Sequence, residues 1–275
     1  MKQIKRYACI LITVLLLAST PSAALAAAEY VPTKAVCTPY TKKGNEWVQD
    51  GSAITYTWSY KKDGRLIKTA SLASGDKGSW VRRSWKGDLV KKVSYENGST
   101  TTYRYKKGML TQVKHLSKDF QNVSKYSIKK KKSVSSDGNV TATISYNGKG
   151  QYKKIVTQYA NATTTKTYKY YSDGNLKKIT TTDNMGSTQV VRFNKKGYLK
   201  SFLMKSPSVT ITTTYSYKYK NGKVRECIVT RQGGGYSSMQ KYIYSKWRKV
   251  SRTRNCDGHE NIWSIGVLSA FDARG

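Results

Sequence analysis

Hydrophobic and polar positions alternate along most of the chain, and the alternation breaks at regular places. The stretch TYSYKYKNGKVREC (214–227) shows the unit. Tyr215, Tyr217 and Tyr219 fall on one face, Ser216 and Lys218 on the other, which is the period of a β-strand. Asn221-Gly222 follows, and Asp-Gly takes its place at 63–64 and 173–174; such pairs accept positive φ at low cost, as tight hairpin turns require. A second strand then starts with an apolar residue and places a β-branched one three positions on, as Leu176 and Ile179 do. The unit returns as SYKKDGRLIKT (59–69), YRYKKGMLTQV (103–113), YKYYSDGNLKKI (168–179) and VRFNKKGYLKS (191–201).

The turn glycines act as a ruler. Gly64, Gly87, Gly108, Gly150, Gly174, Gly197 and Gly222 are spaced by 21 to 25 residues, except for one interval of 42, twice the period. KYSIKKKKSV (125–134) fills that interval, and KYIYSKWRKV (241–250) extends the series past Gly222. Both read as hairpins shortened by two residues, a change that keeps side-chain parity and so keeps the same face inward. Linking turns are marked by Asn97-Gly98, Asp137-Gly138, Ser206-Pro207 and the Gly233–Gly235 run. Proline is absent from the predicted strands, as a continuous ladder requires.

The predicted fold is all-β: consecutive antiparallel hairpins, about nine repeats of about 23 residues, in a large curled sheet, with about 18 strands in series. The tyrosine face must be buried, so the sheet curls into a barrel or a spiral, or folds into two packed layers.

The unit aromatic–x–aromatic followed by a turn and Gly-x-Leu resembles the YD repeat of RHS-type proteins, most closely at DGRL (63–66) and YYSDGNL (170–176). The resemblance covers about three quarters of the chain, without the Tyr-Asp dipeptide itself. It implies long sheets that curl into hollow shells around a toxin domain. This chain departs from such proteins in its short length, its basic charge and its end soon after the last repeat.

Outside the repeats, MKQIKRYA is a basic start, CILITVLLLAST is an apolar run too short for a membrane span, and Ala24-Leu25-Ala26 fits a signal-peptidase site. The expected organisation is a signal peptide over 1–26, an extended N-terminal lead-in over 27–50, the hairpin repeat domain over 51–258 and a C-terminal cap over 259–275. The expected product is secreted or attached to a bacterial cell surface by the Sec route, with no transmembrane segment in the mature chain.

Charge changes the picture more than composition does. The chain carries 50 Lys and Arg against 15 Asp and Glu, a formal net charge of +35; removal of 1–26 takes away only Lys2, Lys5 and Arg6. Such a field favours anionic partners and opposes self-association. The 22 tyrosines and the regular turn signals argue for a folded sheet despite the low mean hydropathy.

Catalytic chemistry finds no support. His115 and His259 sit in unrelated settings, and Asp63, Asp137, Asp173 and Asp257 belong to turns, with Asp88 just after one. Cys256-x-x-His259 is half a zinc spacing with no second half, and a Cys37–His115 pair has no local support. No nucleophile elbow, P-loop or dinucleotide turn is present. The expectation is a non-enzymatic protein without cofactor or metal. Of Cys37, Cys227 and Cys256, the favoured disulfide is Cys227 with Cys256; the alternative is three unpaired thiols.

The candidate binding residues are lysines that recur at hairpin tips and on second strands: Lys61 and Lys62, Lys91 and Lys92, Lys106 and Lys107, Lys129, Lys130, Lys131 and Lys132, Lys153 and Lys154, Lys177 and Lys178, Lys195 and Lys196. In a curled sheet they form a basic stripe along one rim, suited to a polymer of regularly spaced negative charge. A solvated face that blocks edge pairing is the plainer reading. The expected partner is an anionic cell-wall polymer such as teichoic acid, or another extracellular polyanion. Alternatives are another secreted protein, as for an interaction module related to RHS shells, and an apolar ligand enclosed between the tyrosines. Trp58, Trp80, Trp85, Trp247 and Trp263 are candidates for outward-facing aromatics.

Overall fold

The alternating Tyr/Thr/Val runs are extended because aromatic and β-branched side chains suit a pleated, half-buried surface. A computed structural model describes residues 29–73, 78–87, 89–129, 132–137 and 140–251, and these hold twenty strands and no helix. The strands are β1 (Glu29–Lys43), β2 (Glu46–Gln49), β3 (Ile54–Tyr60), β4 (Leu66–Ala73), β5 (Ser79–Lys86), β6 (Leu89–Tyr95), β7 (Thr100–Lys106), β8 (Met109–Leu116), β9 (Gln121–Lys125) and β10 (Ser127–Lys129). There follow β11 (Lys132–Asp137), β12 (Val140–Tyr146), β13 (Tyr152–Gln158), β14 (Thr163–Tyr170), β15 (Leu176–Asp183), β16 (Thr188–Phe193), β17 (Leu199–Lys205), β18 (Thr210–Lys220), β19 (Lys223–Gly233) and β20 (Tyr236–Val250).

Every pairing is antiparallel. Consecutive strands pair from β3 to β9 and from β10 to β20, and β1 joins the two runs by pairing with β20 on one edge and with β3 and β2 on the other. Residues 121–129 close the ring: β9 pairs with β8, β10 pairs with β11, and Tyr126 between them donates its N–H to Thr111 O at 2.8 Å. The result is a nearly closed barrel whose seam lies at β9/β10. The Gly-containing hairpin tips all fall on one rim, and the turns that link hairpins all fall on the other.

Seven hairpins share one device. In each, the register slips by one residue just before the turn, and the strand-one residue past the slip is aromatic. Tyr60 faces Leu66, Trp85 faces Val90, Tyr105 faces Leu110, Tyr146 faces Tyr152, Tyr170 faces Leu176, Phe193 faces Leu199 and Tyr219 faces Val224. One step further in, Tyr168 faces Ile179 and Tyr217 faces Cys227. Two inward residues on strand one thus match two inward residues three apart on strand two. A bulge absorbs the extra residue, and this is the reason for the Leu-x-x-Ile spacing in the sequence. The shortened hairpin β10–β11 pairs Lys129 with Lys132 and Ser127 with Val134 without a slip, so its missing residues are the bulge and the longer turn.

The inward rows form one core, with Leu176, Ile179, Phe193, Leu199, Val224 and Tyr242 fully buried. β1 runs through it as a spacer. Its small Ala35 and Cys37 face inward between bulky neighbours, so Tyr56 and Tyr242 meet across it at 5.9 Å between ring centroids, and Trp58 and Tyr244 at 6.2 Å.

The lead-in over 27–50 contains β1, a 15-residue strand paired on both edges; Pro32 and Pro39 do not prevent this, and the register shift at Pro32/Lys34 takes up the irregularity. Two sequence expectations need correcting. KYIYSKWRKV is not a hairpin. Tyr236–Val250 is one uninterrupted strand, because no glycine, Asn or Asp breaks it and β1 and β19 pair along it. The Asp-Gly turns at 63–64 and 173–174 put only the glycine at positive φ. Asp63 and Asp173 instead accept the N–H two residues on, making Asx turns. Asn221-Gly222 does have both residues at positive φ, 50° and 71°. The signal peptide over 1–26, the cap over 259–275, Asp257 and His259 lie outside the described residues.

Candidate polyanion-binding rim

The bulge decides where the lysines go. Because the two inward residues of strand two are three apart, the two between them both point outward. Lys91 and Lys92, Lys153 and Lys154, and Lys177 and Lys178 occupy those paired outward positions, just below the tips. Lys61, Lys62, Lys107, Lys195 and Lys196 are in the tip turns themselves, and Lys106, Lys129 and Lys132 are the strand residues that abut them. Lys130 and Lys131 lie outside the described residues. Of the fourteen described candidates, thirteen are exposed and Lys178 is half-buried. They belong to seven successive hairpins round the ring, and neighbouring hairpins stand two strand spacings apart, roughly 10 Å.

Among the described residues none of these fourteen lysines is in an ion pair. Described acids near the rim are engaged elsewhere: Asp63 holds Arg65, Asp173 accepts from Asn175, and Glu226 takes Lys218 at 2.8 Å and Lys241 at 3.4 Å, which keeps its carboxyl below the usual range. Backbone-directed bonds hold neighbouring tips in place. Lys149 Nζ donates to Ser172 O at 3.0 Å, Gln151 Nε2 to Gly174 O at 2.9 Å and Asn175 Nδ2 to Lys195 O at 3.3 Å.

Doublets of lysine were the sequence signal, and they missed a sector. The β18–β19 tip is flanked by Lys220 and Lys223, with Arg225 on the outward bulge position. Lys223 Nζ stands 4.5 Å from the Tyr30 ring centre, Arg225 stacks 4.1 Å from Trp247, and Lys196 reaches Tyr219 at 5.0 Å. A reading of residues flanking each turn glycine, instead of doublets, finds this sector.

Under the rim the barrel is filled. Tyr198 and Tyr217 lie 5.4 Å apart, Tyr146 and Tyr152 5.5 Å, Tyr152 and Tyr168 5.9 Å. Burial pushes the phenols of Tyr198, Tyr217, Tyr242 and Tyr244 well above their ordinary range, and Tyr60 adds to the effect on Tyr198 from a different hairpin tip. These rings are committed to one another and do not offer faces for stacking. Trp85 and Trp247 also turn their indole N–H groups to backbone, Leu66 O and Val224 O, each at 2.9 Å. Trp58 is buried, Trp80 lies between Lys68 and Arg82, and Trp263 lies outside the described residues.

Cys37 and Cys227 are free, buried thiols, and burial pushes them up to about 11 and about 12. Both pair across the ladder with Tyr242, from opposite sides, so their Cα atoms are two strand spacings apart, too far for a disulfide. Cys256 lies outside the described residues. Cys37 and His115 sit on strands in different parts of the ring, and His115 Nδ1 is 3.1 Å from Thr101 Oγ1.

On β14 and β18 the outer wall is polar: Thr163, Thr165, Thr167 and Lys169 face out from β14, and Thr210, Thr212, Thr214, Ser216 and Lys218 from β18. A membrane-spanning barrel carries an apolar band there, and these two strands do not. Among the described residues no helix is long and apolar enough to cross a membrane.

No family model matches the chain, and no curated protein matches it. Solved structures with a similar course include a porin-like protein from Bacteroides uniformis, 15% identical, with a TM-score of 0.44 over 78% of this chain and 96% of that one. A porin-like protein from Bacteroides vulgatus is 12% identical, with a TM-score of 0.33 over 76% and 97%. The TcdB2-TccC3 structure is 14% identical, with a TM-score of 0.30 over 72% of this chain and 13% of that one.

Proposed function

We propose that this protein is a secreted, non-enzymatic hairpin-repeat barrel, akin in its repeat to YD-repeat chains, that binds an anionic polymer of the bacterial surface through its hairpin-tip rim. Teichoic acid is the first candidate. One observation carries the reading: seven successive hairpins set lysines, nearly all exposed and outside the ion pairs of the described residues, on the same rim at a near-constant interval. A polyanion crossing that rim meets a cation at every hairpin. Its counterions are released on binding, so affinity depends steeply on salt.

The test is binding of the purified chain to cell walls with and without teichoic acid, across a salt series. Binding should fall with salt and with removal of the polymer. In the double variant Lys195→Glu/Lys196→Glu, binding at fixed salt should drop by about tenfold or more, and the salt slope should flatten by about two. A salt-independent binding curve, or an unchanged one in that variant, ends the reading.

A further inference from the structure

The rim opposite the lysines has its own pattern. Among the described residues nine large apolar side chains are exposed, and seven of them lie at the linker end. Val48 is close to the β1–β2 turn and Leu72 is the last residue but one of β4. Leu116 and Phe120 flank the β8–β9 turn, Tyr159 and Met185 occupy the linker turns before β14 and β16, and Tyr236 opens β20 just after its turn. Met185 is 65% exposed and Phe120 57%. Singly exposed apolar residues are ordinary on a protein surface, but these sit at turn after turn around one rim. On the β13–β20 side neighbouring turns lie close together: a Cβ added at Gly186 would stand 3.7 Å from Pro207, and one added at Gly234 would stand 3.2 Å from Val209.

Charge selects what can cover this collar. Among the described residues, exposed or half-exposed charges at the linker end are Lys42, Lys43, Lys118, Lys166, Lys205 and Arg231 against Glu46, Asp50, Glu96, Asp119 and Asp183, which is near neutrality. The tip rim and the outer wall are strongly basic. In a chain of formal charge +35, like-charge repulsion blocks self-association through either of those surfaces. It also leaves an anionic lipid surface drawn to the lysine end and not to the collar. The linker rim is the place where two copies can meet without that cost, with mixed charges on both sides and apolar turns between them.

We infer that the linker rim is a self-association surface, on which a second copy of this chain docks rim to rim about a two-fold axis. The interface is isologous, as a two-fold axis demands, and it leaves the lysine rims facing outward at the two far ends. Such a dimer presents two polymer-binding rims at the greatest separation the molecule allows.

Light scattering on the size-separated chain, over a concentration series, reads the mass. The expected result is a dimer at micromolar concentration that persists or strengthens in 1 M salt, because salt screens the net repulsion while apolar contact remains. This is opposite in sign to polymer binding, so the two readings fail separately. Phe120→Lys and Met185→Lys each add a charge at an exposed position and should raise the dissociation constant by about tenfold or more, with an unchanged β-sheet circular dichroism spectrum. Lys195→Glu/Lys196→Glu should leave the mass unchanged. A monomer at every concentration and salt overturns the inference, as does a dimer indifferent to the collar variants. Flotation of a monomeric chain with phosphatidylglycerol vesicles, lost in the collar variants, overturns it in favour of a lipid surface.

Discussion

The two rims of the barrel are joined by the same strands and differ in almost every other respect. At the tip rim the turns are short, mostly bulged and lysine-bearing, and the interior directly beneath is packed with Tyr and Leu. At the linker rim the turns vary in length and carry apolar residues outward, while the inward rows turn polar: Thr164, Lys166, Thr181 and Asp183 on β14 and β15 are all half-buried. Burial alone lowers the ammonium of Lys166 from its ordinary range. Stability is thus concentrated at one end, which frees the other to diverge.

The largest expected effect tests that concentration directly. Leu199 is fully buried under the tip rim, whereas Met185 is 65% exposed on the linker rim. Leu199→Ala should cost about 3 kcal/mol in urea unfolding, by lost transfer energy and a residual cavity. Met185→Ala should stay within about 0.5 kcal/mol. Similar losses at the two sites would dissolve the distinction between the ends.

Alkaline titration probes the same packed region. Desolvation pushes Cys37 up to about 11 and Cys227 up to about 12, and also raises Tyr168 and Tyr215. In the unfolded chain the thiols ionise around 9.0. The folded state holds them neutral, so stability is whole below about pH 9 and falls as pH rises from there through the folded values. Unfolding midpoints measured from pH 7 to 11 should decline above about 9. Cys37→Ala should flatten the first part of the decline; a decline that starts near neutrality would mean the thiols do not govern it.

The tip end was the legible end, and the reason is physical. Hairpin tips need positive φ, so glycine marks them, and a buried strand face needs period two, so tyrosine marks it. Gly174, Tyr168 and Leu176 could therefore be placed without a structure. The three-residue step from Leu176 to Ile179 was visible too, but only the register shows that a bulge causes it and that Lys177 and Lys178 both face outward in consequence. β1 was missed as a member of the sheet because its inward residues, Ala35 and Cys37, are small. They make room for Tyr56 and Tyr242, so their role depends on neighbours distant in sequence. The strand β20 was cut in two because its lysines matched those of the shortened hairpin at 126–134. The linker collar left no trace, since Phe120, Tyr159 and Met185 sit at turns of unequal length and share no period.

The smallest expected effect sharpens the comparison with one deletion made twice. Trp85 and Trp80 lie on the same strand, one inward near the tip and one outward near the linker end. Trp85 Nε1 donates to Leu66 O, a carbonyl next to the bulge, at 2.9 Å. The same bond recurs from Trp247 to Val224 O, and from Tyr170 OH to Tyr152 O at 2.8 Å, each time to the second residue after a tip glycine. The bulge disrupts the ladder locally, and an aromatic on the neighbouring strand supplies a donor there. Trp85→Phe keeps most of the ring but removes the donor, and should cost about 1 kcal/mol. Trp80→Phe disturbs only the contact with Lys68 and Arg82, 5.7 Å and 5.8 Å from its ring, and should cost about 0.5 kcal/mol or less. Urea unfolding of the two variants ranks them. If Trp80→Phe proves the costlier change, the bulge carbonyls are satisfied without their aromatic donors, and the tip end owes its rigidity to side-chain packing alone.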